Sequence, residues 1–204
     1  MTRGQRFARL VTRVVVRAPW LWRLFRPSLT ATFDRLAPEW DTRSVDQIRL
    51  GAIRVAFDAV EPAPRTVLDL GTGTGSVARL ATERWPEADV TGADVSEGMV
   101  EQARRRATSE RQRYDVADAA SLPYADGAFE LVAMNNMIPF FDEIARVTAR
   151  GGQVAIAYSR GPQTPIWVPL ERVRTELERR NFSHVATFSG GAGLSLLARK
   201  ADGS

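Results

Sequence analysis

The stretch Val67-Leu68-Asp69-Leu70-Gly71-Thr72-Gly73-Thr74-Gly75 limits what this chain can fold into more than any other part of it. An apolar run carrying one acid is followed by three glycines at alternate positions, and a helical pattern starts at the last of them. Glycine is needed where the backbone takes φ > 0 or where a ligand lies against bare peptide. A strand, such a turn and a helix together place a ligand at the carboxyl edge of a parallel sheet. The spacing is G-x-G-x-G, and Ser76 stands where the dinucleotide fingerprint has its last glycine. Asp69, directly before the turn, repels a pyrophosphate and suits a ligand carrying an ammonium and a sulfonium. On this stretch alone a dinucleotide site stays open.

The periodicity around the turn sets the fold class. Strands are expected at 66–70, 88–93, 111–116, 128–134, 153–158, 184–188 and 194–198. Helices are expected at 44–60, 75–85, 97–108, 141–149 and 170–180, the fourth ending in a left-handed cap at Gly151-Gly152. Strands alternating with helices imply a mostly parallel α/β sheet covered on both faces. The last two strands are joined by Gly190-Gly191-Ala192-Gly193, too short for a crossover, so they form an antiparallel hairpin.

Ahead of this lies an arm of a different character. Residues 1–26 hold seven arginines and no acid, leaving 21 basic against 24 acidic side chains in the rest. The expected division is an N-terminal helical arm over 1–43 and one α/β domain over 44–204. Phe7, Leu10, Val11, Val14, Val15 and Ala18 recur at helical spacing up to Pro19. Trp20–Arg26 reads as a second short helix or turn ending before Pro27. Arg13 and Arg17 interrupt the apolar stretch that a signal peptide needs. No apolar run reaches the ~18–20 residues that cross a bilayer, so a cytoplasmic protein is expected.

The arm has three readings. It is a capping helix on the domain, a surface-lying membrane anchor inserting Phe7, Val14, Trp20, Trp22 and Phe25, or a nucleic-acid contact. The mildly acidic body argues against nucleic acid as substrate. There is no cysteine, which excludes disulfides, thiolate metal sites and covalent cysteine catalysis.

Two further acids follow the turn at strand ends. Asp94 closes the second strand, where a carboxylate can accept both hydroxyls of a ribose; the alternative is an N-cap of the next helix, which Ser96 could supply instead. After the third strand comes Asp118-Ala119-Ala120-Ser121-Leu122-Pro123-Tyr124.

In this order the motifs resemble the class I S-adenosylmethionine (SAM)-dependent methyltransferases, in particular the subgroup with a D-A-x-x-L-P-[FY] segment. The likeness covers roughly residues 65–158, with the terminal hairpin in support. It implies a Rossmann-like seven-stranded sheet in the order 3-2-1-4-5-7-6. It also implies that Asp69 and the turn Gly71, Thr72, Gly73 and Gly75 hold the methionine end of SAM, and that Asp94 grips its ribose. Val95 and Met99 would then lie against the adenine, Asp118 would bond its amino group with Ala119 beside it, and the Asn135 backbone would line the methyl-donor pocket. Phe33-Asp34-Arg35-Leu36-Ala37-Pro38-Glu39-Trp40-Asp41 is similar to the F-D-x-x-A-x-x-Y-D element that closes the cofactor site in quinone and small-molecule methyltransferases, with Trp40 replacing the tyrosine.

Methyl transfer to a small-molecule acceptor is in-line displacement, so positioning and water exclusion matter most. A base is needed only for an acceptor that arrives protonated. Many relatives have a histidine after the fourth strand, where this chain has Asn135-Asn136-Met137-Ile138-Pro139-Phe140. The single histidine, His184, starts a strand of the hairpin and is read as structural. Tyr158, Asp41 and Asp142 are conceivable bases, and none is assigned. No metal is expected, because Tyr158-Ser159 ends the fifth strand where metal-dependent relatives carry carboxylates. The acceptor is expected among the arm, the segment 136–141 and a lid within 161–169, and Met137, Ile138, Phe140 and Trp167 suggest that it is apolar. A SAM-binding protein without turnover is the alternative, with an NAD-dependent oxidoreductase behind it.

Overall fold

The computed structural model describes residues 3–40 and 46–203. The expected arm–domain boundary at residue 43, and Asp41, lie outside the described residues. The arm begins with α1 (Arg3–Val15), a short 3-10 turn at Pro19–Leu21, and α2 (Trp22–Leu36). Then follow α3 (Asp46–Asp58), β1 (Thr66–Leu70), α4 (Ser76–Arg84), β2 (Asp89–Asp94), α5 (Glu97–Arg105), β3 (Gln112–Val116) and β4 (Phe129–Asn135). The chain closes with α6 (Phe141–Val147), β5 (Thr148–Tyr158), α7 (Leu170–Glu178), β6 (Phe182–Gly190) and β7 (Gly193–Lys200).

The seven strands form one sheet in the order β3-β2-β1-β4-β5-β7-β6, as the resemblance implied. Pairing is parallel as far as β5, and β7 runs antiparallel to both β5 and β6. Successive residues of a strand face opposite sides, and two apolar layers result. Leu68, Leu70, Val132, Met134, Val154 and Ile156 pack with α6 and α7. Val67, Leu131, Ala133, Ala155 and Ala157 pack with α3, α4 and α5.

The arm belongs to the first layer. Val11, Val15, Trp22 and Leu29 are buried in the same cluster as Met134 and Phe140. No helix joins β3 to β4, and Ala117, Ala119 and Leu122 of that connection share the cluster with Val11, Val15, Trp22 and Leu29 of the arm.

Two elements differ from expectation. The segment expected to stop before Pro27 is instead a helix of 15 residues with Pro27 inside it. Proline removes one N–H, so the Arg23 carbonyl loses its helical partner; both residues are exposed, and water can serve it. Trp22 and Leu29, buried on either side of the proline, hold the helix together. The second difference is α6, which ends at Val147 without a left-handed cap. Thr148 Oγ1 donates to the Ile144 carbonyl (2.6 Å), and Lys200 Nζ donates to the Ala145 and Thr148 carbonyls (2.6 and 2.7 Å). The carbonyls a glycine cap would have satisfied are thus taken by side chains. Gly151 does adopt φ +69°, but inside β5, near the register shift against β4.

Candidate functional site

The carboxyl ends of β1, β2 and β4 and the turn after β1 form one edge of the sheet. Gly71 and Thr72 N–H both donate to the Ala93 carbonyl (2.8 and 3.0 Å), pinning the turn to the end of β2. Gly75 has φ +84° and precedes α4; a Cβ there would meet Tyr114 Oη at 2.9 Å, so only glycine fits. Gly73 has φ +52°, and a Cβ there would meet nothing within 4 Å. Its backbone faces open space.

Asp69 is buried, and its Oδ2 accepts from Thr72 Oγ1 (2.6 Å) and from Ala78 N–H (2.9 Å). Burial pushes its carboxyl up to about 7 against those two hydrogen bonds. Asp94 accepts from Gly73 N–H (2.9 Å) on one oxygen and from Ser96 N–H (3.0 Å) on the other. Burial raises it too. Ser96, rather than Asp94, caps α5: its Oγ accepts from Met99 N–H (3.2 Å) and donates to Asp34 Oδ1. Asp34 Oδ1 also accepts from Gly98 N–H (3.2 Å), so the Phe33–Asp34 motif ties the arm to the start of α5. Met99 is fully buried, and Val95 is half-buried.

Asp118 is more crowded than its motif suggests. Its Oδ1 accepts from Trp22 Nε1 (2.8 Å) and Ala120 N–H (2.9 Å), and its Oδ2 accepts from Arg26 Nη1 (2.8 Å). Ala119 beside it is buried. The rest of that loop hangs on Arg146 of α6, which donates to the Leu122 and Tyr124 carbonyls (3.0 and 2.6 Å) and pairs with Asp126 and Glu143. Glu143 Oε2 in turn accepts from Leu122 N–H (2.6 Å), and Arg146 holds Glu143 below the usual carboxylate range.

On the far side of the turn, Met137 presses on Gly71: a Cβ there would lie 2.5 Å from the Met137 sulfur. Asn135, the last residue of β4, donates from Nδ2 to the Arg49 carbonyl (3.1 Å), and its Oδ1 is buried without a partner. Asn136 has φ +59° and exchanges hydrogen bonds with Ser159, holding the ends of β4 and β5 together. Trp40 packs edge-on against Phe33 (5.8 Å), with the Arg49 guanidinium over its ring (4.9 Å).

The expected acceptor segments do converge. Trp22 meets Phe140 edge-on at 5.5 Å, and Trp167 meets Tyr158 at 4.9 Å. Arg9 donates to the Pro162 and Thr164 carbonyls (2.6 and 2.8 Å), so the arm holds the segment 161–169.

Other expectations are corrected. Trp22 is buried and Phe25 half-buried against Phe7, so neither is free to enter a membrane; the exposed apolar residues of the arm are Phe7, Leu10, Trp20 and Leu24. Asp142 is a surface partner of Arg180 (2.7 Å) on the α7 side. Tyr158 is fully buried, which pushes its hydroxyl well above its ordinary value and leaves it protonated at neutral pH. His184 is exposed, with φ +50°, at the register shift of the outermost strand. Arg9, Arg26 and Arg146 were not singled out from the sequence, and Trp22 reads there as a membrane-inserting residue and not as a partner of Asp118. Asp34 carried a signal, as part of the Phe33–Asp41 element.

Comparison with known proteins places the chain. Residues 67–152 match the methyltransferase-domain family. A demethylmenaquinone methyltransferase of Thermus thermophilus is 38% identical over 173 residues, covering 78% of this chain and 75% of that protein. A ubiquinone/menaquinone biosynthesis C-methyltransferase of Desulfotalea psychrophila is 34% identical, covering 71% of this chain and 63% of that one. Among solved structures, the methyltransferase in complex with the Haloferax volcanii Trm112 methyltransferase activator superposes with a TM-score of 0.69 at 20% identity, over 83% of this chain and 97% of that one.

Proposed function

Since the chain belongs to the class I SAM-dependent methyltransferases of the quinone-methyltransferase type, we propose that it methylates an apolar, quinol-like acceptor seated between the arm, residues 136–141 and residues 161–169. The observation that carries this reading is the meeting of these three segments: Trp22 of the arm packs on Phe140, and Arg9 of the arm donates to the Pro162 and Thr164 carbonyls. The donor set fits SAM: three carboxylates stand along one sheet edge, and the Gly73 backbone is open beside them. Asp69 would face the ammonium, Asp94 the ribose hydroxyls and Asp118 the adenine amino group, with Val95, Met99, Ala119 and Trp40 shaping the pocket. When bound, SAM supplies an electrophilic methyl on a sulfonium. The chain's own task is to align the acceptor with that methyl and exclude water. Met137 and Asn135 would flank the line of transfer, and no side chain is assigned as base.

The arm would also rest on a membrane surface. Among the described residues five large hydrophobic side chains are exposed, and four of them, Phe7, Leu10, Trp20 and Leu24, lie on the arm. Exposed Arg6, Arg13, Arg17 and Arg23 are interspersed with them along the chain, a combination of apolar and cationic side chains suited to anionic headgroups. No described helix is long and apolar enough to cross a membrane.

The test of the reaction is transfer of labelled methyl from SAM to a panel of naphthoquinols, benzoquinols, phenols and amines. Labelled quinol is the expected product. SAM binding with no transfer to any of them would favour a protein without turnover. The membrane reading is tested by co-sedimentation with vesicles of 30% phosphatidylglycerol, comparing the full chain with Leu10→Glu/Trp20→Glu/Leu24→Glu. Equal sedimentation of the two would overturn it.

A further inference from the structure

Asp118 joins the arm to the cofactor side, and the count of its hydrogen bonds decides what that junction does. A carboxylate offers about four acceptor positions. Trp22 Nε1 and Ala120 N–H fill two on Oδ1, and Arg26 fills one on Oδ2. One position on Oδ2 is left. Trp22 is buried and locked edge-on against Phe140, so its N–H has a fixed direction. Arg26 is about half exposed, so its charge contributes less than its geometry.

We propose that Trp22 and Arg26 are positioning residues for the cofactor: together they aim the single remaining acceptor of Asp118, so that discrimination for a 6-amino purine is set by the N-terminal arm. An adenine amino group donates to that position, whereas a 6-oxo purine presents a carbonyl to a carboxylate and is repelled. Because the Trp22 ring also packs on Phe140, the same side chain links the adenine end to the segment 136–141. The inference rests on the reading of Asp118 as the adenine's partner.

The test compares the affinities of the full-length protein for S-adenosylhomocysteine and S-inosylhomocysteine by calorimetric titration. Trp22→Phe keeps an aromatic ring for Phe140 and removes the N–H together with the five-membered ring that carries it; it is expected to cut the preference for the adenosine compound about fivefold, a fraction of a charged hydrogen bond. Arg26→Met is expected to cut it about twofold, and the pair about tenfold. Asp118→Ala is expected to abolish the preference. Thermal unfolding of Trp22→Phe within about 2 °C of the parent shows that the fold is kept, and a merely structural role would shift that midpoint without moving the ratio. If Asp118→Ala keeps the parent preference, the reading of Asp118 fails. If Asp118→Ala loses it while Trp22→Phe and Arg26→Met keep it, the positioning role alone is overturned.

Discussion

Around the glycine turn, hydrogen bonds join residues close in the chain: Asp69 to Thr72 and Ala78, and Asp94 to Gly73 across 21 residues. Between the arm and the domain they join residues 62 to 156 positions apart, Asp34 to Ser96 and Val16 to Arg172 at the two extremes. The first set converges on two carboxylates from backbone N–H groups and the Thr72 hydroxyl; the second relies on side chains and rings. A local motif can specify its own geometry, whereas the arm side exists only once the sheet has assembled beneath it. Substitutions near the turn should therefore act on cofactor affinity, and substitutions on the arm side on stability, on acceptor selection and, through Asp118, on the purine the cofactor carries.

The sharpest break of this contrast is Asp94→Ala. It removes the carboxylate that orders Gly73 and Ser96 and the proposed partner of the ribose hydroxyls. Affinity for S-adenosylhomocysteine should fall at least about 100-fold, or about 2.7 kcal/mol. Calorimetric titration showing a loss below about threefold would move the cofactor away from this edge.

Next in size is Arg146→Met. It strips the 117–128 loop of two carbonyl contacts and the ion pair to Asp126, and leaves Glu143 without its cation. About 2 kcal/mol of stability should be lost, lowering the melting midpoint by about 6 °C in calorimetry. An unchanged midpoint would mean that the loop is held by the arm alone.

The same contrast explains what was legible before the structure. The seven strands and the three carboxylates follow from periodicity and from motifs local in the chain, and the strand order is implied by the family resemblance those motifs carry. Arg146 and Trp22 could not be found that way, because an arginine on an amphipathic helix and a tryptophan in a basic arm look like surface and anchor until their partners are in place. Pro27 misled for a related reason. Its local preference to end a helix was overridden by the burial of Trp22 and Leu29 on either side of it.

Asp69 sharpens the electrostatic part of the comparison. Its carboxyl ionises near 3.8 in the unfolded chain and at about 7 when buried. Between those values the folded state binds more protons, so stability falls as pH rises from about 4 to about 7 and levels off above. A cation beside it favours the ionised form. Cofactor affinity should therefore rise through pH 7, with a proton released on binding. Asp69→Asn keeps an acceptor for Thr72 and Ala78 but cannot ionise. It should lower affinity about tenfold at pH 8 and abolish the proton release, read by calorimetry in two buffers of different ionisation enthalpy. Parent-like release would place the titrating group elsewhere.

The smallest effect is expected at Tyr158, the acceptor-side hydroxyl closest to a base in type. Burial holds it protonated through neutral pH, with the Val168 backbone as the opposing contact, so it has no proton-accepting form to offer. Its ring, by contrast, supports Trp167. Tyr158→Phe keeps that ring and should change kcat by less than about threefold, whereas general-base catalysis contributes ~10²–10⁴. The pH profile of kcat should be superimposable on that of the parent. A hundredfold loss with a shifted alkaline limb would make Tyr158 the base after all, and the arm side would then carry chemistry as well as packing.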